Sequence, residues 1–210
     1  PSASLPVTRQ SQRFPVGRIF CVGRNYAAHA AEMGAEVDRE APFYFLKSPH
    51  AVLQSGEILP YPPGTKDLHH EIELVVAIGA AAFRIGADQA GAAIWGYGAG
   101  LDMTRRDLQA QAKAKQRPWD LAKNFEGSAV LSALTPARDF QSAGQRIHLN
   151  VNASTRQDSV ISDMVWSIPE IVADLSHYYH LAPGDLIMTG TPAGVGAVVA
   201  GDRLTGGIEG

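Results

Sequence analysis

The segment His69-His-Glu-Ile-Glu-Leu-Val-Val-Ala-Ile78 decides how this chain folds. Its second half is apolar and rich in Val and Ile, which predicts a buried strand over residues 71–78. Alternate residues of a strand point to one face, so the side chains of Glu71 and Glu73 are expected side by side. Two carboxylates at the mouth of a buried strand repel each other and lose hydration, so they share a proton or bind a cation. The alternative is an exposed strand end where both carboxylates are solvated.

Asp102 supplies a third carboxylate, directly after an apolar, glycine-rich segment that predicts another strand over residues 94–101. Three carboxylates without a nearby cysteine form an oxygen-only ligand set, which suits a hard ion such as Mg²⁺ or Mn²⁺. Zinc more often recruits His or Cys, and His69 and His70 keep zinc open as an alternative. The sequence therefore predicts a divalent metal ion held by these three carboxylates.

The segment after Asp102 has good helix formers throughout and predicts a helix over residues 104–115. Arg106 and Gln109 follow Asp102 at i+4 and i+7, so the three side chains are expected on one helical face. An Arg guanidinium can grip a carboxylate in a bidentate fork, which predicts that this face orients a 2-keto acid. The alternative is a solvated helix on which Arg106 pairs locally with Asp102 or Asp107.

A short Ala-rich helix is predicted over residues 26–33, and it carries His29 and Glu32. The i, i+3 spacing lets the carboxylate orient the imidazole and raise its basicity, so that a water can lose a proton to it. The preceding Gly23-Arg-Asn-Tyr26 forms a tight entry to this helix. The alternative is a surface His–Glu pair without a function, because this spacing is common by chance.

Lys47 and Lys123 are candidates for contact with an anion, because both stand beside apolar residues. A partly buried Lys needs an acidic partner or an anionic ligand. The alternative is that the stems are buried while the ammonium groups stay in water. The segment Thr189-Gly-Thr-Pro-Ala-Gly-Val-Gly196 is a further candidate, since glycine lets backbone N–H groups approach an anion closely. It has neither the Lys of a Walker loop nor the spacing of a dinucleotide fingerprint.

Many short strands broken by Gly and Pro, with few helices, predict a β-rich α+β domain. Further strands are expected over residues 18–22, 42–46, 148–151 and 186–188. A helix is expected from Ser167 to about His180, because Glu170 follows the Ser at the spacing of a capping box. Residues 1–17 are expected to form an N-terminal arm and residues 18–210 a single domain that carries the candidate site.

The bulk composition excludes several classes of function. The 210 residues carry a formal net charge of −3 with a pI of about 6.2, so no basic surface is expected for nucleic acid or anionic lipid. No apolar segment approaches the roughly 20 residues that span a bilayer, and the first residues lack the pattern of a signal peptide. Cys21 is the only cysteine, which rules out an internal disulfide and favours a reducing cytoplasm.

The ordered set of motifs resembles the fumarylacetoacetate hydrolase family from about residue 18 to residue 202. The motifs are Gly23-x-Asn-Tyr-x-x-His29-x-x-Glu32, Lys47, His70-Glu-x-Glu73, Asp102-x-x-x-Arg106-x-x-Gln109, Lys123 and Thr189-Gly-Thr-Pro-x-Gly-Val-Gly196. The combination of Glu-x-Glu with Thr-Gly-Thr-Pro is specific to the family. Residues 23–34 and 105–119 are most similar to its fumarylpyruvate and acylpyruvate hydrolases of aromatic catabolism.

This resemblance implies a mixed β-roll with flanking helices, a homodimer, and one Mg²⁺ or Mn²⁺ in each site. It implies that Glu71, Glu73 and Asp102 hold the metal and that His29 and Glu32 activate water. Lys123 would stabilise the enolate that forms. Contacts to a small anionic keto acid are implied for Arg24, Tyr26, Lys47, Arg106, Gln109 and Thr191. The implied reaction is hydrolysis of the carbon–carbon bond of a 3-acylpyruvate, with fumarylpyruvate as the favoured substrate.

Two departures from the family pattern are expected to alter the structure locally. Residues 152–155 read Asn-Ala-Ser-Thr where the family has an Asn-Gly hairpin turn, so a remodelled or disordered turn is expected. The sequence stops at Gly210, within what should be a final hairpin, so an exposed strand edge is expected there.

Two alternatives to hydrolysis remain open. Family members also decarboxylate oxaloacetate, or isomerise and decarboxylate dienoic keto acids, and these reactions need the same enolate but no nucleophilic water. A non-catalytic module that binds a metal or ligand on this scaffold is the other alternative. The His29–Glu32 pair beside intact metal ligands favours hydrolysis.

Overall fold

The computed structural model describes residues 3–34, 36, 39–140 and 144–209, and short strands dominate it. The strands are β1 (Ser4–Pro6), β2 (Arg13–Pro15), β3 (Ile19–Gly23), β4 (Phe43–Lys47), β5 (Val52–Gln54), β6 (Leu68–His70), β7 (Ile72–Ile78), β8 (Ile94–Asp102), β9 (Thr104–Arg105), β10 (Ala129–Leu131), β11 (Thr135–Pro136), β12 (Arg146–Val151), β13 (Ser154–Val160), β14 (Leu186–Met188), β15 (Gly196–Val198) and β16 (Leu204–Ile208).

The helices are short and lie between these strands. They are α1 (Ala27–Glu32), α2 (Ala90–Ala93), α3 (Arg106–Ala114), α4 (Asp120–Lys123) and α5 (Ile168–Tyr178), with 3₁₀ turns at Pro49–Ala51, Ala87–Gln89, Ala137–Asp139 and Ile161–Asp163. None of the helices in the described residues is long and apolar enough to cross a membrane.

The strands form one large mixed sheet with smaller sheets beside it. The large sheet has the order β4-β3-β14-β7-β8-β10-β5, and β11 pairs with β8. Within it, β3 runs parallel to β14 and β5 runs parallel to β10, while the other pairs are antiparallel. Two three-stranded sheets, β13-β12-β16 and β15-β6-β9, lie beside it, and β1 pairs with β2. The predicted β-rich α+β class is confirmed.

Strand β7 is the centre of the fold because both of its faces are buried. Its even-numbered residues, from Ile72 to Ile78, enter one apolar core. Val75 and Ala77 point the other way, into a second core. A strand that is buried on both faces requires a continuous apolar sequence, and this is what the segment after Glu73 supplies. The strand predicted over residues 71–78 is therefore confirmed, with its first paired residue at Ile72.

Helix α5 covers the first core with an apolar stripe. The buried residues of this stripe that join the core are Ile168, Ile171, Val172 and Leu175. The helix begins as the sequence predicts, because the Ser167 N–H donates to Glu170 Oε2 at 2.7 Å. This bond satisfies a backbone group that would otherwise lack a partner at the helix start.

The segment expected to be an N-terminal arm packs closely against the second core. In its described part, β1 and β2 form an antiparallel pair. The side chain of Leu5 is fully buried, and Phe14 contacts the ring of Trp95 at 5.0 Å between centroids. The segment therefore covers one face of the large sheet. Its separation from the domain of residues 18–210 stays a prediction.

The helix expected over residues 104–115 begins at Arg106 instead. Thr104 and Arg105 form β9 and pair with β6, since the backbone partners available in β6 outweigh their helix propensity. Asp102 consequently ends strand β8 and does not enter the helix. The prediction that Asp102 shares a helical face with Arg106 and Gln109 is therefore wrong, although the latter two do lie on one helix.

The turn between β12 and β13 is an ordered two-residue turn, with a shift in strand register between Leu149 and Asn150. Of the two expected outcomes, a remodelled or a disordered turn, the disordered one is therefore wrong. Asn152 takes the positive φ, 55°, that glycine commonly supplies in hairpins. Asn tolerates this conformation better than other non-glycine residues. Its side chain also accepts a hydrogen bond from the Arg203 N–H at 2.9 Å and donates one to Asp202 Oδ1 at 2.8 Å. Strand β16 lies at the edge of the same sheet, where an exposed edge was expected.

We expect Leu5→Ala to lower the free energy of unfolding by about 2–5 kcal/mol, because it removes a fully buried side chain from the second core. Denaturant unfolding should still show a single transition. The control is Leu121→Ala, whose side chain is 74% exposed and whose removal should cost less than about 0.5 kcal/mol. A separate early transition that carries the whole effect of Leu5→Ala would show that residues 1–17 fold independently of the domain.

Candidate active site

Three carboxylates meet at the end of the central strand. Glu71 precedes β7, Glu73 is its second residue, and Asp102 ends the neighbouring strand β8. The Asp102 N–H donates to the Glu71 backbone oxygen at 2.8 Å, which places the two residues opposite each other. One carboxylate oxygen from each of the three residues lies within 4.8 Å of the others, and all three side chains are buried. The clustering predicted from the sequence is present.

Two buried lysines bind the carboxylates from the side of β4 and α4. Lys123 Nζ lies 2.7 Å from Glu71 Oε2 and 2.6 Å from Asp102 Oδ2, and it also donates to Thr104 Oγ1 at 2.7 Å. Lys47 Nζ lies 2.8 Å from Asp102 Oδ1, an ion pair without the angles of a hydrogen bond. Both ammonium groups are therefore paired with acids, as the burial of the lysines requires.

Arg106 completes the positive charge around the triad. Its guanidinium lies 2.5 Å from Glu71 Oε1 and donates to Gln109 Oε1 at 2.6 Å. The alternative in which Arg106 pairs with Asp102 or Asp107 on a solvated helix does not hold, since its partner is Glu71. Arg106 and Gln109 are thus joined in one polar wall beside the carboxylates.

The positive charges are distributed unevenly over the three acids. Burial alone would raise the pKa of Glu71, but Lys123 and Arg106 outweigh burial and hold that pKa far below its usual value. Burial raises the pKa of Glu73 well above its usual value, and the charges of Asp102 and Glu71 raise it further. Among the described residues Glu73 forms no ion pair and accepts only the Gly190 N–H, at 2.9 Å.

These observations fit a divalent cation better than three isolated acids. Glu73 lacks a countercharge, and Asp102 Oδ1 is a buried acceptor without a hydrogen-bond donor in the described residues. The donor atoms are oxygens throughout, which is the set that Mg²⁺ and Mn²⁺ prefer. Of the two neighbouring histidines, His69 pairs with Asp67 at 2.9 Å and His70 with Gln157 at 3.0 Å, so neither belongs to the cluster and the zinc alternative loses its support.

His29 and Glu32 form a pair on α1 at the edge of the same pocket. His29 Nδ1 lies 3.5 Å from Glu32 Oε2, and the Gly194 N–H donates to both oxygens of Glu32 at 3.2 and 3.1 Å. Burial lowers the pKa of His29, so its imidazole is neutral near pH 7 and can accept a proton. The alternative of a surface pair without a function is disfavoured, since His29 is buried and lines the pocket.

The segment 189–196 supports both halves of the site. Gly190 contacts Glu73 and Gly194 contacts Glu32, each through its backbone N–H. Gly194 has φ of 96°, and a Cβ atom there would lie 1.9 Å from the Arg156 carbonyl oxygen, so only glycine fits. Thr191 Oγ1 donates to the Ile72 carbonyl at 2.7 Å, which commits its hydroxyl proton to the backbone between the two glutamates.

Nine of the twelve predicted site residues line the pocket beside the carboxylates: Arg24, His29, Glu71, Glu73, Asp102, Arg106, Gln109, Lys123 and Thr191. Glu32 and Lys47 are not on the pocket wall but act on it through His29 and Asp102. Tyr26 is 2% exposed and its backbone pairs with Met164, so its side chain is enclosed in the fold. The expectation that Tyr26 contacts the substrate is not met by this geometry.

No pattern in the sequence points to Gln157, which connects the parts of the site. Its Oε1 accepts the Ile72 N–H at 3.0 Å, and its Nε2 donates to Thr191 Oγ1 at 2.7 Å and to the Pro192 carbonyl at 2.8 Å. It is fully buried, although it lies in the polar strand β13. One side chain therefore joins the backbone between the two glutamates to the glycine-rich segment.

Sequence patterns also do not point to the rest of the pocket wall. It consists of Val22, Gly23, Met33, Phe43, Phe45, Lys113 and Trp119. Lys113 is the one residue of this group with a usable signal, because it follows Gln109 at i+4 on the same helix and so shares its face. The aromatic residues look like ordinary core residues in the sequence.

Comparison with known proteins agrees with this geometry. The family model "Fumarylacetoacetate (FAA) hydrolase C-terminal" matches residues 18–210. This chain belongs to the fumarylacetoacetate hydrolase family. The mixed β-roll with flanking helices that the family resemblance implied is confirmed by solved structures of the same type.

Relatives within the fumarylacetoacetate hydrolase family differ in the activity named for them. A fumarylpyruvate hydrolase of Ralstonia sp is 52% identical over 180 residues, which cover 85% of this chain and 94% of the relative. An oxaloacetate tautomerase of Escherichia coli (strain K12) is 39% identical over 199 residues, 94% of this chain and 90% of the relative. This chain is also similar to the crystal structure of fumarylpyruvate hydrolase from Pseudomonas aeruginosa in complex with Mn²⁺ and pyruvate. The sequence identity is 47% and the TM-score is 0.94, and the match covers 99% of this chain and 91% of the other.

We expect Gln157→Leu to weaken both the fold and the site, because it leaves the Ile72 N–H without its acceptor and removes the donor to Thr191 Oγ1, which keeps only its own bond to the Ile72 carbonyl. Each lost partner in a buried site costs about 1–3 kcal/mol. Denaturant unfolding should show this loss, and calorimetric titration should show weaker binding of Mn²⁺. The matched control is Thr155→Ala on the same strand, where the side chain is exposed and neither measurement should change. Unchanged Mn²⁺ affinity in Gln157→Leu would contradict the connecting role.

Proposed function

We propose that this protein is a divalent-metal-dependent hydrolase that cleaves the carbon–carbon bond of a 3-acylpyruvate, with fumarylpyruvate as the favoured substrate and fumarate and pyruvate as products. The observation that carries this proposal is the position of the buried His29, paired with Glu32, on the wall of the pocket that holds the three carboxylates. The fumarylpyruvate hydrolase relative at 52% identity supports the choice of reaction. The neighbour structure with Mn²⁺ and pyruvate supports the metal and the pyruvyl half of the substrate.

The residues that would hold Mg²⁺ or Mn²⁺ are Glu71, Glu73 and Asp102. When bound, the ion supplies Lewis-acid polarisation of the keto and carboxylate oxygens of the pyruvyl group. Lys47 holds Asp102 in place through their ion pair, and the ammonium group of Lys47 is itself enclosed in the fold. We therefore assign Lys47 to positioning and not to direct contact with substrate.

The proposed reaction begins at His29. Its imidazole, oriented by Glu32, takes a proton from a water that attacks the acyl carbonyl beyond the methylene group. The carbon–carbon bond then breaks, the acyl carbon leaves as a carboxylic acid, and the bonding electrons pass to pyruvate as its enolate. The enolate carbon is finally protonated, so that one water is consumed for each pair of products.

The remaining charged groups of the wall would hold the substrate and stabilise the charge that develops. Lys123 provides an ammonium group in a dry site, where it acts more strongly on an enolate oxygen than it would in water. The guanidinium of Arg106, already held by Gln109 and Glu71, would bind the carboxylate of the pyruvyl group. Thr191 and Arg24 line the same pocket and complete the proposed contacts.

Tautomerisation of oxaloacetate is a second candidate, favoured by the relative at 39% identity that carries this name. It uses the same pyruvyl half and needs only proton transfer at carbon, without a nucleophilic water. The higher identity to a fumarylpyruvate hydrolase favours hydrolysis. We further propose that the protein acts in aromatic compound catabolism, because ring cleavage of an aromatic acid would supply an acylpyruvate.

We also propose that the protein is a cytoplasmic homodimer. The single cysteine, Cys21, is buried and unpaired, which suits a reducing compartment. Ile58 and Val199 are 89% and 67% exposed on the rim of a groove with many apolar residues, and such side chains are typical of a surface that a second subunit covers. A monomer in sedimentation equilibrium at micromolar concentration would contradict this assembly.

We expect Glu73→Gln to weaken Mn²⁺ binding by more than about 10- to 100-fold and to abolish most of the hydrolysis of fumarylpyruvate, because it removes the carboxylate that lacks a countercharge. The metal-free protein should not lose stability, since burial and the charges of Asp102 and Glu71 already disfavour the ionised form of Glu73, and Gln is uncharged. Calorimetry, steady-state rates and thermal unfolding with and without Mn²⁺ test these outcomes. Glu126→Gln, at an exposed position, is the control. Full activity of Glu73→Gln with unchanged metal affinity would contradict the assignment of Glu73 as a metal ligand.

We expect His29→Ala to lower kcat for fumarylpyruvate by about 100-fold or more, because the water loses its base. In the unmodified protein kcat should fall as pH falls, since protonation removes the base, and the midpoint should lie below the ordinary histidine pKa of about 6.5. Rates with fumarylpyruvate, acetylpyruvate and oxaloacetate over a pH series test this, with the exposed His50→Ala as control. Conversion of oxaloacetate alone by the unmodified protein would overturn the hydrolase proposal in favour of the second candidate.

A further inference from the structure

A wall of three aromatic rings leads away from the carboxylates along one side of the pocket. Lys123 Nζ, which is bonded to the triad, lies 5.0 Å from the centroid of the Phe45 ring. The Phe45 ring contacts Trp119 at 6.0 Å between centroids, and Trp119 contacts Phe43 edge-on at 5.7 Å. The wall therefore has an inner end at Phe45, next to Lys123, and an outer end at Phe43.

The strand that carries two of these rings fixes the direction of the wall. Phe43, Phe45 and Lys47 alternate along β4, so their side chains point to the same face. Lys47 contacts Asp102, which places that end of the strand at the carboxylates. A rise of about 3.3 Å per residue separates the Cα atoms of Phe43 and Lys47 by roughly 13 Å. The pocket is thus long in one direction, with the proposed metal site at one end only.

Two cations lie along the outer part of this wall. The Arg24 guanidinium carbon lies 5.5 Å from the centroid of the Phe43 ring, and Lys113 Nζ lies 5.1 Å from that of Trp119. Both residues line the pocket. Lys113 lies at i+4 from Gln109 on α3, so the helix face that holds Arg106 and Gln109 continues outward to it.

These two cations differ from those at the inner end in having no acid partner among the described residues. The cations near the triad each lie within 2.8 Å of a carboxylate oxygen. In the part of the chain that the structure describes, neither Arg24 nor Lys113 lies within ion-pair distance of a carboxylate. Their contacts with aromatic rings stabilise the positive charges, but a ring face does not replace the carboxylate that such donors prefer.

The environment of Lys113 is unfavourable for a positive charge. Its side chain is half-buried, and burial lowers its pKa, as do the nearby charges of Arg24 and Arg106. A lysine that only snorkelled into water would avoid these neighbours, because its stem is flexible. A carboxylate at this point would relieve the repulsion and supply acceptors for both donors.

We propose that Arg24 and Lys113 form an outer subsite that binds the carboxylate at the far end of the acyl chain and so determine the preference for it. This inference rests on the proposed function for the position of the pyruvyl half at the inner end. The aromatic wall then packs against the unsaturated carbons between the two carboxylates. An acyl chain that ends in a methyl group would leave both outer cations unpaired and partly desolvated, at a cost in binding.

The test compares two compounds that differ only at the outer end. One is fumarylpyruvate, and the other is its analogue with a methyl group in place of the terminal carboxylate. The ratio of kcat/KM values for the two compounds is measured with Mn²⁺ for the unmodified protein, Arg24→Met and Lys113→Met. The ratio of dissociation constants is measured by calorimetry on the His29→Ala background, where turnover does not interfere.

Matched controls separate the subsite from general effects of charge and backbone. Lys115→Met removes an exposed lysine from the end of the same helix. Arg9→Met removes an exposed arginine that, like Arg24, has a positive φ, so it carries the same backbone strain. Neither control should change either ratio. Lys113→Arg, which keeps the charge, should retain most of the preference.

We expect the ratio that measures the preference for fumarylpyruvate to fall by about 10- to 100-fold in Arg24→Met and in Lys113→Met. Each substitution removes one charge-assisted contact with the terminal carboxylate. An equal loss for both compounds, or an unchanged ratio, overturns the subsite while hydrolysis by the unmodified protein keeps the proposed function. Binding that prefers the dicarboxylate, without any hydrolysis, supports the subsite and overturns the proposed function. Failure to bind either compound overturns the subsite.

Discussion

Burial of three carboxylates at the end of a doubly buried strand is the constraint on which the rest of this structure depends. Glu71, Glu73 and Asp102 are within reach of one another in a part of the molecule from which water is largely excluded. Such an arrangement is costly unless cations are present, because the charged forms repel and lose hydration. Two lysines and an arginine supply part of that charge, but they are directed to Glu71 and Asp102. The charge that Glu73 still lacks is the reason for a metal ion.

The glycine-rich segment 189–196 couples the carboxylates to the candidate base. One of its N–H groups bonds Glu73 and another bonds Glu32, so the same backbone positions the triad and the residue that orients His29. Gln157 then ties this segment to the backbone between the two glutamates. A displacement of the segment would move both halves of the site together. This explains why a polar side chain on an otherwise exposed strand is fully buried.

The pocket has two ends of different character. At the inner end each cation is paired with an acid, and this is the end where we propose that the metal and the pyruvyl group bind. At the outer end the two cations contact aromatic rings, where we propose that they bind the second carboxylate of the substrate. A single helix, α3, contributes Arg106 to the inner end and Lys113 to the outer one, because residues at i and i+7 share a face. A rigid helix is suited to hold two binding groups at a fixed separation.

The sequence by itself determined the central strand and the capped helix α5, because these follow from local patterns of apolar residues and capping groups. It predicted the clustering of Glu71, Glu73 and Asp102 from the chemistry of three carboxylates and from the family motifs. The family motifs also predicted the fold. They contain the residues that this kind of site requires, and so they identify the family and its fold. Tertiary structure alone decided where α3 begins, since pairing of Thr104 and Arg105 with β6 overrides their helix propensity. It also decided that Tyr26 is enclosed, that Gln157 joins strands distant in sequence, and that Phe43 and Trp119 form a wall with Lys113. Such contacts depend on side chains far apart along the chain, and no local pattern encodes them.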